Sequence, residues 1–443
     1  MEKRYMLEGP VIKSILTLSV PLFISNLLQQ FYNIADTIIV GRFIGPDALA
    51  AVGSSFTFMI FITSIIYGLS LGSSSVFSMK YGRKDFHGLK KSIYSSFILI
   101  FSFTIFLNLL AYLFIDRIII FMNAPLDIGP LMKEYLLVIF SGFIASSLYN
   151  YVASIHRSMG DSKTPMIFLA NSVILNIILD YIFIKSFSMG IFGAAIATVI
   201  SQYISAIGIF ILFWIKNEDL RFHKGDKLID LKSIKEIANF SIMTSIQQSV
   251  MNFGILMIQG LVNSFGANTM AAFAAAVKID AFAYMPVQDF GNAFSIFVAQ
   301  NFGAGNKKRI REGFKKAIIL VVLFSLLISM LVFAFAESLI LIFLDEANLQ
   351  ILEIGKTYLR TEGAFYFAIA ILFLLYGYYR AVAKPAMSIV LTILSLGTRV
   401  LLAYKLASIP HIGTSGIWWA IVIGWFLADS FGLIYYFKTR RYL

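Results

Sequence analysis

The sequence predicts an all-α polytopic membrane protein with twelve transmembrane helices. They form two six-helix lobes, related by an internal parallel repeat, around a central cleft. Three observations carry this. Of the 443 residues, 59% are hydrophobic and only 14% charged, with a mean hydropathy of +0.82; soluble domains do not tolerate so many apolar runs. The apolar residues gather into runs of spanning length. The second half of the chain repeats the first at an offset of 220 to 223 residues.

Taken in order, the spans are expected near 14–39, 48–78, 92–115, 132–155, 165–184 and 191–215, then 237–262, 270–300, 317–336, 357–379, 385–404 and 416–437. The first is read as a retained span and not a cleaved leader, because its apolar run continues into polar positions and lacks a small-residue cleavage site. The second and eighth are the longest and are expected to overrun the bilayer or to bend; Pro286 allows the latter.

Positive charge orients the chain. With both termini cytoplasmic, the inside segments hold 27 of the 36 Lys and Arg residues, from Lys3, Arg4 and Lys13 through Lys80, Arg83, Lys224 and Lys227 to Lys307, Arg311, Lys438 and Arg441. The outside loops hold only Arg42, Arg117, Lys185, Lys356 and Lys405. This bias expects an even number of spans in a plasma membrane, both ends inside. It also explains the net charge of +12 as a topology signal, so nucleic acid is not an expected partner.

The repeat is visible residue by residue. FIGPDALAAV answers SFGANTMAAF; KYGRKDFHGLKKSI at 80–93 answers NFGAGNKKRIREGF at 301–314; RSMGDSKTP at 157–165 answers RAVAKP at 380–385; GIFGAAIATVI answers TSGIWWAIVI. Six spans precede the boundary and six follow, so the copies share one orientation. The expected division is an N-lobe at 1–215, a cytoplasmic linker at 216–236 and a C-lobe at 237–443. Parallel repeats of this kind describe a transport architecture with a central cleft.

Within the first span, Asn26, Gln29, Asn33 and Asp36 recur at intervals of three and four, with Tyr32 one turn before Asp36. They share one helical stripe. A carboxylate costs about 3 kcal/mol at the centre of a membrane helix, so Asp36 is expected to face protein or water. Pro21 removes a backbone donor and is expected to kink the helix. The stripe reads either as a polar seam between helices or as the lining of an ion site. Asn176 and Asp180 lie one turn apart in the fifth span. At 1.5 Å per residue, Asp36, Asp180 and Thr198 all fall in the outer half of the bilayer. Converging oxygens suit a hard cation, and two neighbouring carboxylates favour proton uptake.

At this point the chain resembles, over nearly its whole length, transporters of the multidrug and toxic compound extrusion (MATE) family. The resemblance rests on VPLFISNLLQQFYNIADTIIVGRFIGPDALAAVG, on AVKIDAFAYMPVQDFGNAFSIFVAQNFGAGNKKR and on RSMGDSKTP with its echo RAVAKP. It implies a cation site in the N-lobe, binding sodium or a proton, at residues matching Pro21, Tyr32, Asp36, Asn176, Asp180 and Thr198. Some branches place a cation on acids of the seventh and tenth spans. Here the seventh offers Gln247 and Gln248, and the tenth reads AFYFAIAILF, which departs from that pattern. Asp280, Glu362 and Arg399 remain as candidate C-lobe cleft residues, with Glu362 and Arg399 at a depth where they can form an ion pair.

Other chemistry finds little support. There is no cysteine, so no disulfide or thiolate chemistry is available. His87, His156, His223 and His411 are scattered at expected loops without ligand spacing. Gly303–Asn306 lacks the phosphate-loop pattern. No His-, Cys- or Ser-based constellation lies within the spans, so an enzyme is not expected. The 43 Phe, 21 Tyr and 16 Met residues are read as packing and lipid-facing, some lining a cleft for varied apolar cations. The reading is a monomeric secondary exporter of amphipathic or cationic small molecules, antiported against sodium or protons by alternating access, with no cofactor beyond the coupling ion. The alternative is a flippase or exporter of a lipid-linked or other endogenous metabolite, whose pyrophosphate would call for intramembrane Arg or Lys that are few here.

Overall fold

The computed structural model describes residues 6–122, 124–125, 127–221, 230–343 and 349–440. Lys3, Arg4, His223, Lys224, Lys227 and Arg441, named above, lie outside the described residues, as does the middle of the expected linker, 222–229. The described chain is helical throughout and holds no strand.

The helices are α1 (Val11–Phe43), α2 (Pro46–Gly82), α3 (Phe86–Leu113), α4 (Ile115–Phe121), α5 (Gly129–Ser158), α6 (Lys163–Asp180) and α7 (Gly190–Lys216). Then come α8 (Leu231–Asn263), α9 (Ala267–Gly303), α10 (Lys307–Leu341), α11 (Leu349–Gly363), α12 (Tyr366–Ala381), α13 (Pro385–Ala407) and α14 (Thr414–Thr439). A π-helical turn, Tyr181–Ser186, extends α6 directly. Each expected span falls on a helix, but two differ from the simple picture. The tenth is broken at Ala364–Phe365 into α11 and α12, bent by 51°. The seventh, α8, is long enough to cross a membrane but is diluted by Gln247, Gln248, Asn252 and Gln259. Among the described residues ten helices are long and apolar enough to span, eleven when the bent pair counts as one.

The repeat is written into the backbone. Gly45 and Gly266, 221 residues apart, both cap the following helix at positive φ, 125° and 92°. Lys84 and Gly305 pair at φ 62° and 71°, Gly160 and Ala383 at 94° and 60°, Gly190 and Gly413 at 59° and 53°. These are the left-handed positions that end one helix and aim the next. Asp85 and Asn306 occupy matching N-caps, accepting from Gly88 N–H at 2.8 Å and Arg309 N–H at 3.2 Å.

By contacts the chain forms two compact units. One holds Val20–Ser245, the other Met1–Ser19 with Ile246–Leu443. Both crossings fall inside helices, α1 and α8, and hydrogen bonds show why. Before Ser19, the backbone carbonyls of Met6, Glu8 and Gly9 accept from Arg309, and Met6 also from Asn301, which ties this stretch to the α9–α10 turn. The first half of α8 packs on α2, where the Ser73 and Ser241 hydroxyls meet at 2.8 Å. There a Cβ on Gly72 would lie 2.4 Å from the Phe240 carbonyl oxygen, so only glycine permits the approach. Within the Val20–Ser245 unit, α5 is central, packing on α2, α3 and α7. Its core joins Ile66, Leu136, Phe140, Ala194 and Ala195.

Candidate functional site

In the Val20–Ser245 unit, three helices bring five predicted residues together. α6 lies along α7, and the one-turn spacing of Asn176 and Asp180 turns both toward it. Asp36 of α1 and Thr198 of α7 close the group. All four are buried, Asp36 at 6% exposure and Asp180 at 0%. The half-buried Tyr32 and Thr198 share a hydrogen bond of 3.1 Å. In the amide orientation that satisfies both its ends, Asn176 donates to Asp180 Oδ2 at 3.0 Å. Its oxygen then accepts from the Thr198 backbone N–H at 3.1 Å and from its hydroxyl at 3.3 Å. The Asp36 and Asp180 carboxyl groups lie within hydrogen-bonding reach of each other. A chain of polar contacts thus runs Tyr32, Thr198, Asn176, Asp180, Asp36. Immediately after Asp180 the helix widens into the π-helical turn, a distortion frequent at functional sites.

Two carboxyl groups in contact, shielded from water, do not both stay ionised without something positive between them. The pair is complete with one shared proton or one bound monovalent cation. Asp36 Oδ1 and Asp180 Oδ1 are buried and have no hydrogen-bond partner. Together with the oxygens of Asn176, Thr198 and Tyr32 they form an all-oxygen donor set, which suits a hard ion. Among the described residues no group of three or more His, Cys, Asp and Glu side chains forms, so the charge on offer is that of two carboxylates.

Two other members of the stripe do not share hydrogen bonds with this cluster. Gln29 is exposed and Asn33 half-buried, its carbonyl taken by the Thr37 hydroxyl at 2.7 Å. Pro21 is buried just past the crossing at Ser19–Val20, and its carbonyl accepts from Ser25 at 2.7 Å. Its missing N–H leaves α1 one backbone bond short.

The other unit holds a second buried acid group. Asp280 of α9 accepts from the Tyr358 hydroxyl at 2.6 Å and from Tyr366. Glu362 lies within hydrogen-bonding reach of both Asp280 and Tyr358. Tyr358 is held edge-on by Trp418, ring centroids 4.8 Å apart, and by Phe273 at 5.5 Å. The Arg399 guanidinium acts on both carboxyls through space; it makes no direct ion pair with Glu362. Gln247 is buried with its Oε1 unpartnered and Gln248 is half-buried; neither shares a hydrogen bond with this group.

Several residues here carry no individual sequence signal. Tyr135 of α5 is buried near enough for the Asp36 and Asp180 carboxyl groups to act on its hydroxyl. Tyr358 and Tyr366 reach Asp280 across 78 and 86 residues. In a chain with 21 tyrosines, only the fold singles these out. His156, expected in a loop, is buried in the last turn of α5 and bonded to Asp161 at 3.2 Å.

The profile of the MatE family matches residues 21–182 and 241–405, one stretch in each repeat copy. The chain is 28% identical to the probable multidrug resistance protein YpnP of Bacillus subtilis (strain 168), covering 97% of this chain and 95% of that protein. It is also 28% identical to the probable multidrug resistance protein NorM of Thermotoga maritima, covering 97% and 92%. Among solved structures, the outward-facing conformation of a multidrug resistance MATE family transporter of the MOP superfamily superposes with a TM-score of 0.91 at 25% identity. That match covers 100% of this chain and 99% of the other.

Proposed function

The chain belongs to the MATE family of multi-pass membrane transporters, within the MOP superfamily, and we propose that it is a secondary exporter of amphipathic or cationic small molecules. Export is driven by inward flow of a monovalent cation, a proton or sodium. The observation that carries this is the contact between Asp36 and Asp180 in a buried, all-oxygen pocket. Such a pair is incomplete without a proton or a cation, and it therefore responds to the gradient of one. The relatives named as multidrug resistance proteins support the substrate class.

Coupling requires the ion to distinguish two conformations, since a ligand of equal affinity for both shifts nothing. In this reading the lobes expected at 1–215 and 237–443 alternate access to a cleft, and α1 bends at Pro21 as it does so. The protein acts as a monomer in the plasma membrane with both termini cytoplasmic. Asp280, Glu362 and Arg399 act as a structural group in the C-lobe.

The test is dye export from vesicles under separately imposed sodium and proton gradients. Export driven by either gradient, and absent without one, supports antiport. Export indifferent to both sinks it.

A further inference from the structure

We propose that the start of α10 and the end of α14 form a binding site for an anionic phospholipid. The two helix ends meet where Arg311 donates to the backbone carbonyl of Arg440 at 3.0 Å. Between them lies a cavity of about 710 Å³, within the span of roughly 300–1,000 Å³ usual for ligand sites. Three cations line it, Arg311, Lys315 and Arg440, and among the described residues no acidic side chain does. The nearest carboxylate along α10, Glu312, is engaged by Lys316 at 2.7 Å.

The lining is graded along both helices. On α10 the basic Arg311 and Lys315 come first, and the aliphatic Ile318 and Ile319 follow one to two turns deeper into the apolar span. On α14 the order runs in reverse, with Leu433 deep and Arg440 at the end. An occupant must therefore be anionic at one end and aliphatic at the other. A free phosphate satisfies only the first half, and a neutral lipid only the second. The wall between the two halves is aromatic and rigid: Phe314 stacks on Tyr436 with centroids 4.1 Å apart, and the Arg440 guanidinium lies 4.9 Å above the Phe437 ring. Phe437 and Ile319 are exposed at the mouth, as a surface contacting acyl chains would be.

The ligand is a glycerophospholipid whose phosphate is clamped by the arginines, planar forks that match phosphate oxygens in pairs, while its chain lies along Ile318, Ile319 and Leu433. Basic pockets between membrane helices hold anionic headgroups in this manner. The inference is independent of the ion site and of which leaflet the pocket faces.

Native mass spectrometry of the purified full chain in detergent tests it, with phosphatidylglycerol, phosphatidylcholine of identical chains and inorganic phosphate as separate probes. Wild type is expected to retain phosphatidylglycerol in preference to phosphatidylcholine. The double variant Arg311→Gln/Arg440→Gln is expected to weaken that retention on the order of thirtyfold, a factor of about five per basic side chain. Arg311→Lys/Arg440→Lys restores most of it, which separates lost charge from lost fold. Arg83→Gln/Lys84→Gln, a basic turn in the other unit, leaves it unchanged. Equal retention of the two lipids, or of phosphatidylglycerol by wild type and the Gln variant, overturns the proposal. So does displacement of the lipid by inorganic phosphate.

Discussion

Each unit buries a pair of carboxyl groups in mutual reach, yet the two pairs are built differently. Asp36 and Asp180 are surrounded by an amide and hydroxyls, and among the described residues no basic side chain acts on them. Asp280 and Glu362 lie under the charge of Arg399 and are held by two tyrosine hydroxyls. In the proposed reading the first pair takes its positive charge from a bound proton or cation, whereas the second has Arg399. On that reading, what separates a coupling site from a structural acid pair is the missing counter-charge, which burial alone does not reveal.

Removing Arg399 is the harshest way to break this contrast. Arg399→Gln leaves two buried carboxyls without the cation that acts on them and is expected to destabilise more than any variant below. Asp180→Asn removes a charge from the uncompensated pair while keeping its shape, and should cost less than about 1.5 kcal/mol. Denaturation of both variants in detergent measures the difference. If Arg399→Gln is as stable as wild type but fails to export, the C-unit group is functional and the contrast collapses.

The tyrosines sharpen it. Tyr358→Phe strips a donor from a buried Asp280 oxygen and should destabilise by about 1–3 kcal/mol. Tyr32→Phe should cost only about 0.5–1.5 kcal/mol, because Thr198 keeps its bonds to Asn176 and to the Ala194 carbonyl. Equal losses would mean that the two networks are equally structural.

A smaller effect tests the repeat itself. Lys84 and Ala383 hold left-handed φ values where the other copy has Gly305 and Gly160. Lys84→Gly and Ala383→Gly should each stabilise by about 1 kcal/mol, the steric cost of a side chain at that φ less the added freedom of the unfolded chain. A lower melting temperature in either variant would show that the side chain contributes more than its strain removes.

The smallest effect lies in the turn after α5. Burial would raise the Asp161 pKa, but hydrogen bonds from His156 and from the Thr164 hydroxyl and N–H outweigh it and hold the carboxyl below its usual range. With the folded value depressed, its contribution is present above an unfolded pKa of about 3.9 and fades as pH falls below that. Wild type should be slightly more stable than Asp161→Asn at neutral pH, the difference vanishing in acid. A difference as large in strong acid as at neutral pH would assign the effect to shape alone.

Much of this was legible before any coordinates. Apolar runs and alternating basic turns placed each expected span on a helix, and the offset of the repeat matched turns that share left-handed backbone; the short α4 was not anticipated. The stripe on α1 singled out Asp36, and the one-turn spacing on α6 singled out Asn176 with Asp180, because helical periodicity is local. What periodicity cannot carry is contact between helices. It placed Gln29 and Asn33 beside Asp36 on one stripe, although Tyr32 and Asp36 join the cluster and those two do not. It matched Glu362 with Arg399 by depth, whereas the carboxyl in reach of Glu362 is Asp280. The break at Ala364–Phe365 sits in an apolar run without proline, so composition gave no warning of it.

The most direct measurement is gradient-driven export per correctly folded transporter in reconstituted vesicles, for wild type, Asp36→Asn, Asp180→Asn and the double variant. Each single variant is expected to fall to the level seen without a gradient while substrate binding to purified protein persists, and the double variant to be no worse, since both carboxyls serve one site. Full coupling in both single variants would contradict the assignment of Asp36 and Asp180 as the place where the driving ion binds.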